Sequence, residues 1–445
     1  MKGFGFWTGW FVVVASMVGS GILTNSGPIL AESGSYFGLM VTWFIGGMLA
    51  LCGAFTLAEL ASGLPGRGGD YAYVREGLGP AWGFVYGWSM VVVGFAAPIA
   101  LVAYTTANYF SPLLLHAFGK YLNPVHEREC VLIVASVLIL KFTVSHSLGH
   151  ESSSRVQAGI TIFNVAILIL LSVLCIASPG SSFEHFWQAR PIAQTSPTQW
   201  GSHIILVLYA YTGWNASAYL SGEMRDPARN LPRTLIWGCL AVTGLYLLVN
   251  LAYSATLSPE LIAALSTTDQ ERLAEVSIGL AVGPHFAKIF SALISLGLLA
   301  SLSAFIMTGP RIVHAMAHDG LFPKFAGILH GHVPLFAILF QGGLALIFLW
   351  SGSFEQVLDF TGFGLAVLGL LTVVPIFFFR RRDNFRPAFR TPFYPFTPML
   401  FLTVSVASLI LALVEKPLSS ALSLLAILIA FPIYIFVRRG QPNQP

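Results

Sequence analysis

Charge is the scarcest property of this 445-residue sequence. Asp, Glu, Lys and Arg together make up 9% of the residues, whereas a soluble domain carries about 25%. A chain of this length with so few charges cannot cover its surface with solvated groups. Its outer surface must therefore face lipid over most of its area. The net charge of +4 is small and gives no indication of nucleic-acid binding.

Cysteine is also rare, and its four occurrences form no cluster. Cys52, Cys130, Cys175 and Cys239 lie far apart, in or near apolar segments, and the sequence contains no CxxC motif. This spacing supports neither a disulfide framework nor a structural zinc site. The histidines are dispersed, without an HExxH motif or paired carboxylates that would indicate an active site. We therefore predict no metal, no cofactor and no enzymatic activity.

Long apolar runs, in contrast, are abundant. Hydrophobic residues make up 56% of the chain and the mean hydropathy is +0.76. Because a helix needs about 20 apolar residues to cross the bilayer, we predict an all-α integral membrane protein with twelve transmembrane helices. The predicted spans are 6–31, 36–62, 80–112, 128–146, 156–178, 200–222, 233–257, 284–309, 334–351, 355–379, 396–414 and 419–437. The first run leads into another span, so we interpret it as a retained helix.

The distribution of Lys and Arg predicts the orientation of these spans. Sixteen of these residues fall at the two termini or in loops that follow even-numbered helices, and six fall in the opposite loops. Cytoplasmic loops carry the excess of Lys and Arg, so both termini should be cytoplasmic, in a multi-pass protein of the plasma (inner) membrane. An even number of helices requires the same arrangement.

Three connections have a distinct composition. We interpret 258–283 as one short amphipathic helix at the outer surface and the basic, proline-rich 380–398 loop as a contact with the membrane surface. The 312–333 segment holds four of the eleven histidines. A solvated inner loop explains it, although a pH sensor or a metal site remains open.

Two spans are interrupted near their middle by residues that weaken a helix. In the first span, ASMVGSGILTNSGP places Gly19, Ser20 and Gly21 together. Two glycines allow a ligand to approach the backbone closely, although small residues also serve helix packing. In the sixth span, the run from Thr212 to Asn215 (Thr-Gly-Trp-Asn) interrupts the helix between bulky aromatic residues.

The positions of the two breaks predict an internal repeat. Helices 1 and 6 are five apart, so an inverted copy of helices 1–5 would bring both breaks together at the membrane midplane. We predict a transport core over 1–379, with helices 1–5 at about 6–178 and helices 6–10 at about 200–379. Residues 380–445 would then form the basic loop, helices 11 and 12 and a short cytoplasmic tail.

Broken helices can bind a zwitterion without any charged side chain. The exposed N–H groups at one break bind a carboxylate, favoured by the positive end of the helix dipole. Exposed carbonyl groups at the other break accept hydrogen bonds from an ammonium group. The middles of helices 1 and 6 contain no Asp, Glu, Lys or Arg, which agrees with this type of site.

Four motifs together resemble the amino acid–polyamine–organocation superfamily, and most closely its L-type amino acid permeases. They are VGSGI at 18–22, PGRGGDYAYVREGLGP at 65–80, YAYTGWNASAYLSGEMRDPARNLPR at 209–233 and AFIMTGPRIVHAMAHDGLFPKF at 304–325. Their order and spacing match over about 6–437. The resemblance implies a five-plus-five inverted repeat of the LeuT type, with broken helices 1 and 6, two trailing helices and alternating access.

The resemblance also implies which residues meet an amino acid substrate. Residues that would contact its carboxylate are Met17, Gly19, Ser20 and Gly21. Residues that would receive its ammonium and line the pocket are Tyr209, Ala210, Thr212 and Gly213. Trp214 and Asn215 would shape the side-chain pocket. Tyr209 stands where the family places an aromatic gate, and Thr212 replaces a frequent glycine, which makes the pocket smaller or more polar.

One departure from the family pattern concerns ion coupling. Many sodium-independent relatives carry a lysine in helix 5, where this sequence reads VQAGITIFN and has Asn164. Because an asparagine side chain does not titrate, a lysine-based proton mechanism is doubtful. Ser301, with the carbonyls of Ala15 and Val18 and with Asn164 nearby, could coordinate Na⁺. Alternatively, Asn164 forms a hydrogen bond between helices. Coupling to Na⁺ or H⁺ stays open.

The combined expectation is a permease or exchanger for small to medium neutral L-amino acids. A cationic amino acid or polyamine transporter of the same fold is the alternative, and a membrane enzyme or receptor is a remote one. The expected partners are the amino acid substrate and the lipid bilayer. An accessory subunit linked through an outer-loop cysteine is not expected, because Cys130 lies at the start of helix 4.

Overall fold

The described chain is built from helices. The computed structural model describes residues 5–64, 69–118, 127–149, 154–187, 195–218, 224–330 and 333–439. Within those ranges no strand occurs, and one isolated β-bridge joins His330 and Val333. Residues 219–222 of the predicted sixth span and 440–445 of the predicted tail lie outside the described residues.

The described ranges of the first half of the chain contain eleven helices, labelled in chain order. They are α1 (Phe6–Met17), α2 (Gly21–Thr24), α3 (Ser26–Ser33), α4 (Tyr36–Gly63), α5 (Asp70–Leu78), α6 (Pro80–Ser89), α7 (Ala97–Phe118), α8 (Glu127–Ser147), α9 (Ser154–Ile176), α10 (Glu184–Trp187) and α11 (Pro197–Ala210). A π-helical turn, Met90–Ala96, joins α6 to α7 into one continuous span.

The second half supplies twelve more. They are α12 (Pro227–Thr256), α13 (Pro259–Ala264), α14 (Thr267–Gln270), α15 (Leu273–Ala281), α16 (Pro284–Thr308), α17 (Pro310–His318), α18 (Leu335–Ser351), α19 (Phe354–Val373), α20 (Pro375–Phe379), α21 (Phe396–Glu415), α22 (Pro417–Leu428) and α23 (Ala430–Arg439). A short 3₁₀ turn, Lys324–Gly327, follows α17.

Ten segments of the described chain are long and apolar enough to cross a membrane. They are Phe6–Thr24, Tyr36–Gly63, Pro80–Ser111, Arg128–Ser147, Gly159–Ile176, Pro227–Thr256, Pro284–His318, Phe354–Phe379, Phe396–Glu415 and Pro417–Arg438. Two shorter helices, α11 with 14 residues and α18 with 17, occupy the places of the sixth and ninth predicted spans. The protein is thus a multi-pass integral membrane protein, while the count of twelve spans stays a prediction.

Burial separates the centre of the bundle from its lipid-facing rim. In the 18-residue apolar stretch of Pro80–Ser111, 89% of the residues are buried, whereas in that of Pro417–Arg438 28% are buried. On α8, Ile133, Val137, Leu140 and Val144 follow one another every three or four residues and are exposed. Such a stripe lies on one face of a helix. An apolar face of this kind is suited to lipid.

The 258–283 segment forms three short helices, α13, α14 and α15, instead of the single amphipathic helix predicted. Ser258 and Ser266 explain the difference, because each side chain accepts a hydrogen bond from a backbone N–H three residues later. Serine caps of this kind start new helices. The segment lies against α3: a Cβ on Gly27 would come within 1.9 Å of the Gln270 carbonyl oxygen.

The basic 380–398 loop packs against α4, a contact that the membrane-surface interpretation did not include. Glu59, near the end of α4, is 1% exposed. The guanidinium group of Arg380 donates two hydrogen bonds to its carboxylate, both 2.7 Å long. The Thr391 N–H donates a third, also of 2.7 Å. Arg380 also lies 3.7 Å from the centre of the Tyr394 ring. The loop is therefore fixed to the bundle at a buried ion pair.

Candidate substrate site at two broken helices

The first predicted break is present in the structure. α1 ends at Met17, the backbone of Val18 is extended, and α2 begins at Gly21. Within the described chain, no backbone carbonyl accepts a hydrogen bond from the N–H group of Gly19 or of Ser20. A polar group inside a membrane needs a partner. These two N–H groups are therefore available to an anionic ligand group.

The second break follows α11. That helix begins at a capping box formed by Ser196 and Gln199 and ends at Ala210. Thr212 folds back, and its hydroxyl donates a 2.6 Å hydrogen bond to the Tyr209 carbonyl. Gly213 has φ +99°, and a Cβ there would lie 2.4 Å from the Ser16 carbonyl oxygen. Both its conformation and its contact with α1 thus require glycine.

The two breaks contact each other directly. A Cβ added to Gly21 would lie 2.6 Å from the Cα of Ala210, so the two backbones approach closely. The hydroxyl groups of Ser20 and Tyr209 are 3.3 Å apart and share a hydrogen bond. Met17, Ser20, Tyr209 and Ala210 are all buried. The structure therefore brings together the residues predicted to meet the substrate's carboxylate and ammonium groups.

Tyr246 of α12 joins both breaks and was missed by the sequence analysis. Its hydroxyl lies 2.6 Å from the Met17 carbonyl and 3.1 Å from the Ala210 carbonyl, and can donate to either one. The two carbonyl groups end α1 and α11, where a helix leaves its acceptors unpaired. A tyrosine within an apolar span (TGLYLLVN) was the available sequence signal.

Trp214 and Asn215, which follow the second break, contact α4, α21 and α5. The Trp214 ring would lie 3.0 Å from a Cβ at Gly53 on α4 and packs edge-on against Phe401 of α21. The Asn215 amide donates a short hydrogen bond to the carboxylate of Asp70, the first residue of α5. Their predicted role in the side-chain pocket stays a prediction.

Asn164 forms the interhelical contact that was weighed against sodium coordination. Its amide donates a 3.3 Å hydrogen bond to the Gly297 carbonyl of α16, and a Cβ at Gly297 would overlap the Asn164 side chain. Gly297 lies one helical turn before the half-buried Ser301. The grouping of Ser301 with the carbonyls of Ala15 and Val18 stays a prediction.

The His-rich 312–333 segment folds as the end of α17, the 3₁₀ turn and the bridge at His330, with 331–332 outside the described residues. Across the ranges that the structure describes, no three His, Cys, Asp or Glu side chains come close enough to hold a metal ion.

The comparison with known proteins identifies the family of this bundle. The model of the family described as "Amino acid permease" matches residues 4–440. The chain belongs to the amino acid permease family. Relatives of the permease include the serine/threonine exchanger SteT of Bacillus subtilis (strain 168), which is 28% identical over 441 residues. That match covers 97% of this chain and 96% of the relative.

Two animal transporters are similar over most of their length. The Asc-type amino acid transporter 1 of Mus musculus is 26% identical over 95% of the permease and 78% of that protein. The cystine/glutamate transporter of Homo sapiens is 27% identical over 95% of the permease and 82% of that protein. The predicted superfamily, with L-type relatives, is thereby confirmed. The permease is an amino acid transporter and not an enzyme.

Proposed function

We propose that this permease is a secondary active transporter that binds an amino acid zwitterion between the breaks of α1 and α11 and moves it by alternating access. The observation that carries the proposal is the direct contact between two helix ends from distant parts of the chain. One end offers the N–H groups of Gly19 and Ser20. The other offers the carbonyl group of Ala210, which has a second lone pair besides the one that faces the Tyr246 hydroxyl. This pairing is complementary to a carboxylate and an ammonium group on one carbon.

The substrates are small to medium neutral L-amino acids. None of the residues assigned to the site carries a charge, so a charged side chain of the substrate would have no counter-ion. The relatives include an exchanger of serine and threonine. Thr212 narrows the site compared with the glycine that is frequent in the family, which favours substrates of that size over bulky aromatic ones.

The two breaks belong to a five-plus-five inverted repeat over 1–379, followed by helices 11 and 12, in a bundle of twelve spans. The sixth span begins with α11, which has 14 residues, and the ninth is α18, an apolar helix of 17 residues. The protein resides in the plasma (inner) membrane. Both its termini lie in the cytoplasm, because its Lys and Arg residues are concentrated at one set of loops.

The experiment is exchange in proteoliposomes of the purified protein. Vesicles loaded with unlabelled serine should take up labelled serine, alanine and leucine, with and without gradients of Na⁺ and pH. Ser20→Phe should abolish saturable uptake, because it fills the contact between the breaks. Gly343→Phe is the matched control, since Gly343 is exposed and no described atom lies within 4 Å of its Cβ position.

Two outcomes would contradict the proposal. Uptake of arginine or a polyamine in place of neutral amino acids would assign the protein to the cationic alternative. Equal uptake by Ser20→Phe and Gly343→Phe, with both proteins folded, would place the substrate away from the breaks.

A further inference from the structure

Asp70 is a fully buried carboxylate beside the proposed site. It is 0% exposed and begins α5, in the connection between the spans Tyr36–Gly63 and Pro80–Ser111. Its Oδ2 atom accepts hydrogen bonds from the Asn215 amide, from the Tyr86 hydroxyl at 3.0 Å and from the Thr372 hydroxyl at 3.4 Å. One oxygen atom thus joins α5, α6, α19 and the break that follows α11.

The other oxygen of this carboxylate, Oδ1, is buried and accepts no hydrogen bond from the residues that the structure describes. An ionised carboxylate can accept about four hydrogen bonds. A buried acceptor without a donor is unfavourable, and it is most unfavourable when it carries charge. A proton bound to this carboxyl group would remove that charge.

The surroundings of Asp70 also favour its protonated form. Burial raises the pKa of Asp70 more than the hydrogen bonds from Asn215, Tyr86 and Thr372 lower it, and the resulting pKa is about 6. The unperturbed value of an aspartate is about 3.9. A carboxyl group with this pKa changes its protonation close to the pH of cells.

The charged groups near this end of the bundle are engaged with one another. Arg75, on the same helix, forms an ion pair with Asp319, which also accepts a 3.0 Å hydrogen bond from Tyr71. Glu59 is paired with Arg380. In the part of the chain that the structure describes, no charged side chain acts on the pKa of Asp70. Among the described residues, the groups that act on it are the Asn215 amide, the hydroxyls of Tyr86 and Thr372, and the backbone N–H of Asp70 itself.

We propose that Asp70 is the proton-binding site of this transporter, and that its ionised carboxylate holds the broken segment after α11 in place through Asn215. The inference rests on the proposed function. It assigns the proton to a carboxyl group on α5, whereas the helix 5 position that carries lysine in many relatives is occupied by Asn164.

The step consists of one proton transfer. In the ionised state, Asp70 accepts charge-assisted hydrogen bonds from the Asn215 amide and the Tyr86 hydroxyl, which are roughly twice as strong as those between neutral groups. The Thr372 hydroxyl divides its one hydrogen between Asp70 and the Leu368 carbonyl. A proton from water forms an O–H bond with the carboxylate, and the charge is lost. The hydrogen bond from Asn215 weakens, and the segment from Thr212 to Asn215 is released to move. When the proton returns to water, the bond regains its strength.

The experiment measures amino acid exchange in proteoliposomes at equal internal and external pH, from about pH 5 to about pH 8. The exchange rate of the wild type should rise as the pH falls through about 6. Asp70→Asn, which cannot ionise, should exchange at a rate that does not change with pH. Asp383→Asn is the control, because the Asp383 carboxylate lies in an exposed turn and its removal should leave the wild-type profile.

Tyr86→Phe gives a second test that keeps Asp70 itself. It removes one hydrogen bond that lowers the pKa of Asp70, so the midpoint should move to higher pH by roughly half to one unit. Infrared spectroscopy should show the carbonyl band of a protonated carboxylic acid that titrates with the same midpoint and is absent from Asp70→Asn.

The outcomes separate this inference from the proposed function. If the wild type exchanges no amino acid at any pH, the proposed function is wrong. If it does, but Asp70→Asn keeps the pH profile of the wild type, Asp70 does not bind the proton. A rate that falls as the pH falls, or a midpoint unaffected by Tyr86→Phe, also overturns the inference.

Discussion

Gly19 is the residue at which the proposed substrate site is open. Its neighbours in the two breaks, Gly21 and Gly213, are in close contact with Ala210 and Ser16. At Gly19, in contrast, no described atom lies within 4 Å of the position that a Cβ would occupy. A methyl group at this position would therefore meet the substrate before it meets the protein.

Gly19→Ala should therefore weaken substrate binding without destabilising the protein. We expect KM for serine to rise about tenfold, equivalent to about 1.4 kcal/mol, with an unchanged thermal unfolding midpoint. Gly244→Ala is the control: Gly244 lies on α12, is exposed and has the same open space. An unchanged KM in Gly19→Ala would show that the substrate does not approach this backbone.

At the same scale, the sequence identified which residues break the helices but not what they contact. Glycine and small polar residues within an apolar run are visible in one sequence, and they predicted the breaks at Gly19 and Gly213. The hydrogen bond between Asn215 and Asp70 joins residues 145 positions apart, and the one between Tyr246 and Met17 joins residues 229 positions apart. No local pattern specifies such partners.

At the scale of elements, α12 holds the ends of α1 and α11 together. Tyr246→Phe would remove the hydroxyl group that lies against the Met17 and Ala210 carbonyls and leave them without this donor. An unpaired buried acceptor costs about 1–3 kcal/mol. We expect a lower thermal unfolding midpoint and slower exchange.

Tyr253→Phe is the matched control on the same helix. The Tyr253 hydroxyl is buried and has no hydrogen-bond partner among the described residues, so its removal should leave the stability unchanged or slightly increased. If both variants lose the same stability, the hydroxyl of Tyr246 does not join the two breaks.

The apolar runs predicted which parts of the chain form long helices, but they predicted the ends of those helices less accurately. A long run predicts a span because the bilayer requires one, which explains the agreement for α4, α12 and α21. α11 ends at Ala210, 12 residues before the predicted end of its span at 222. A helix can be interrupted inside the bundle without any change in the hydropathy of its residues. The apolar run therefore continues past the interruption, and hydropathy alone did not locate it.

At the scale of the whole molecule, Glu59 and Arg380 connect α4 with the beginning of the C-terminal region. Arg380→Lys would replace the guanidinium group, which donates two hydrogen bonds to Glu59, with an ammonium group that cannot form the same bidentate contact. We expect a loss of about 1–3 kcal/mol in the free energy of unfolding. Arg381→Lys is the control, since Arg381 is exposed. Unfolding of the detergent-solubilised protein measures both variants, and equal midpoints would contradict the expected role of the pair.

The Glu59 carboxylate accepts hydrogen bonds from residues on both sides of an exposed turn in the 380–398 loop. Arg380 precedes the turn at Asp383 and Asn384, and the Thr391 N–H that also binds Glu59 follows it. A chain divided after Asp383 would therefore leave Arg380 with Glu59 in the larger fragment and Thr391 in the smaller one. Two co-expressed fragments, 1–383 and 384–445, should reassemble and be purified together, and Glu59→Gln should reduce their recovery as a complex.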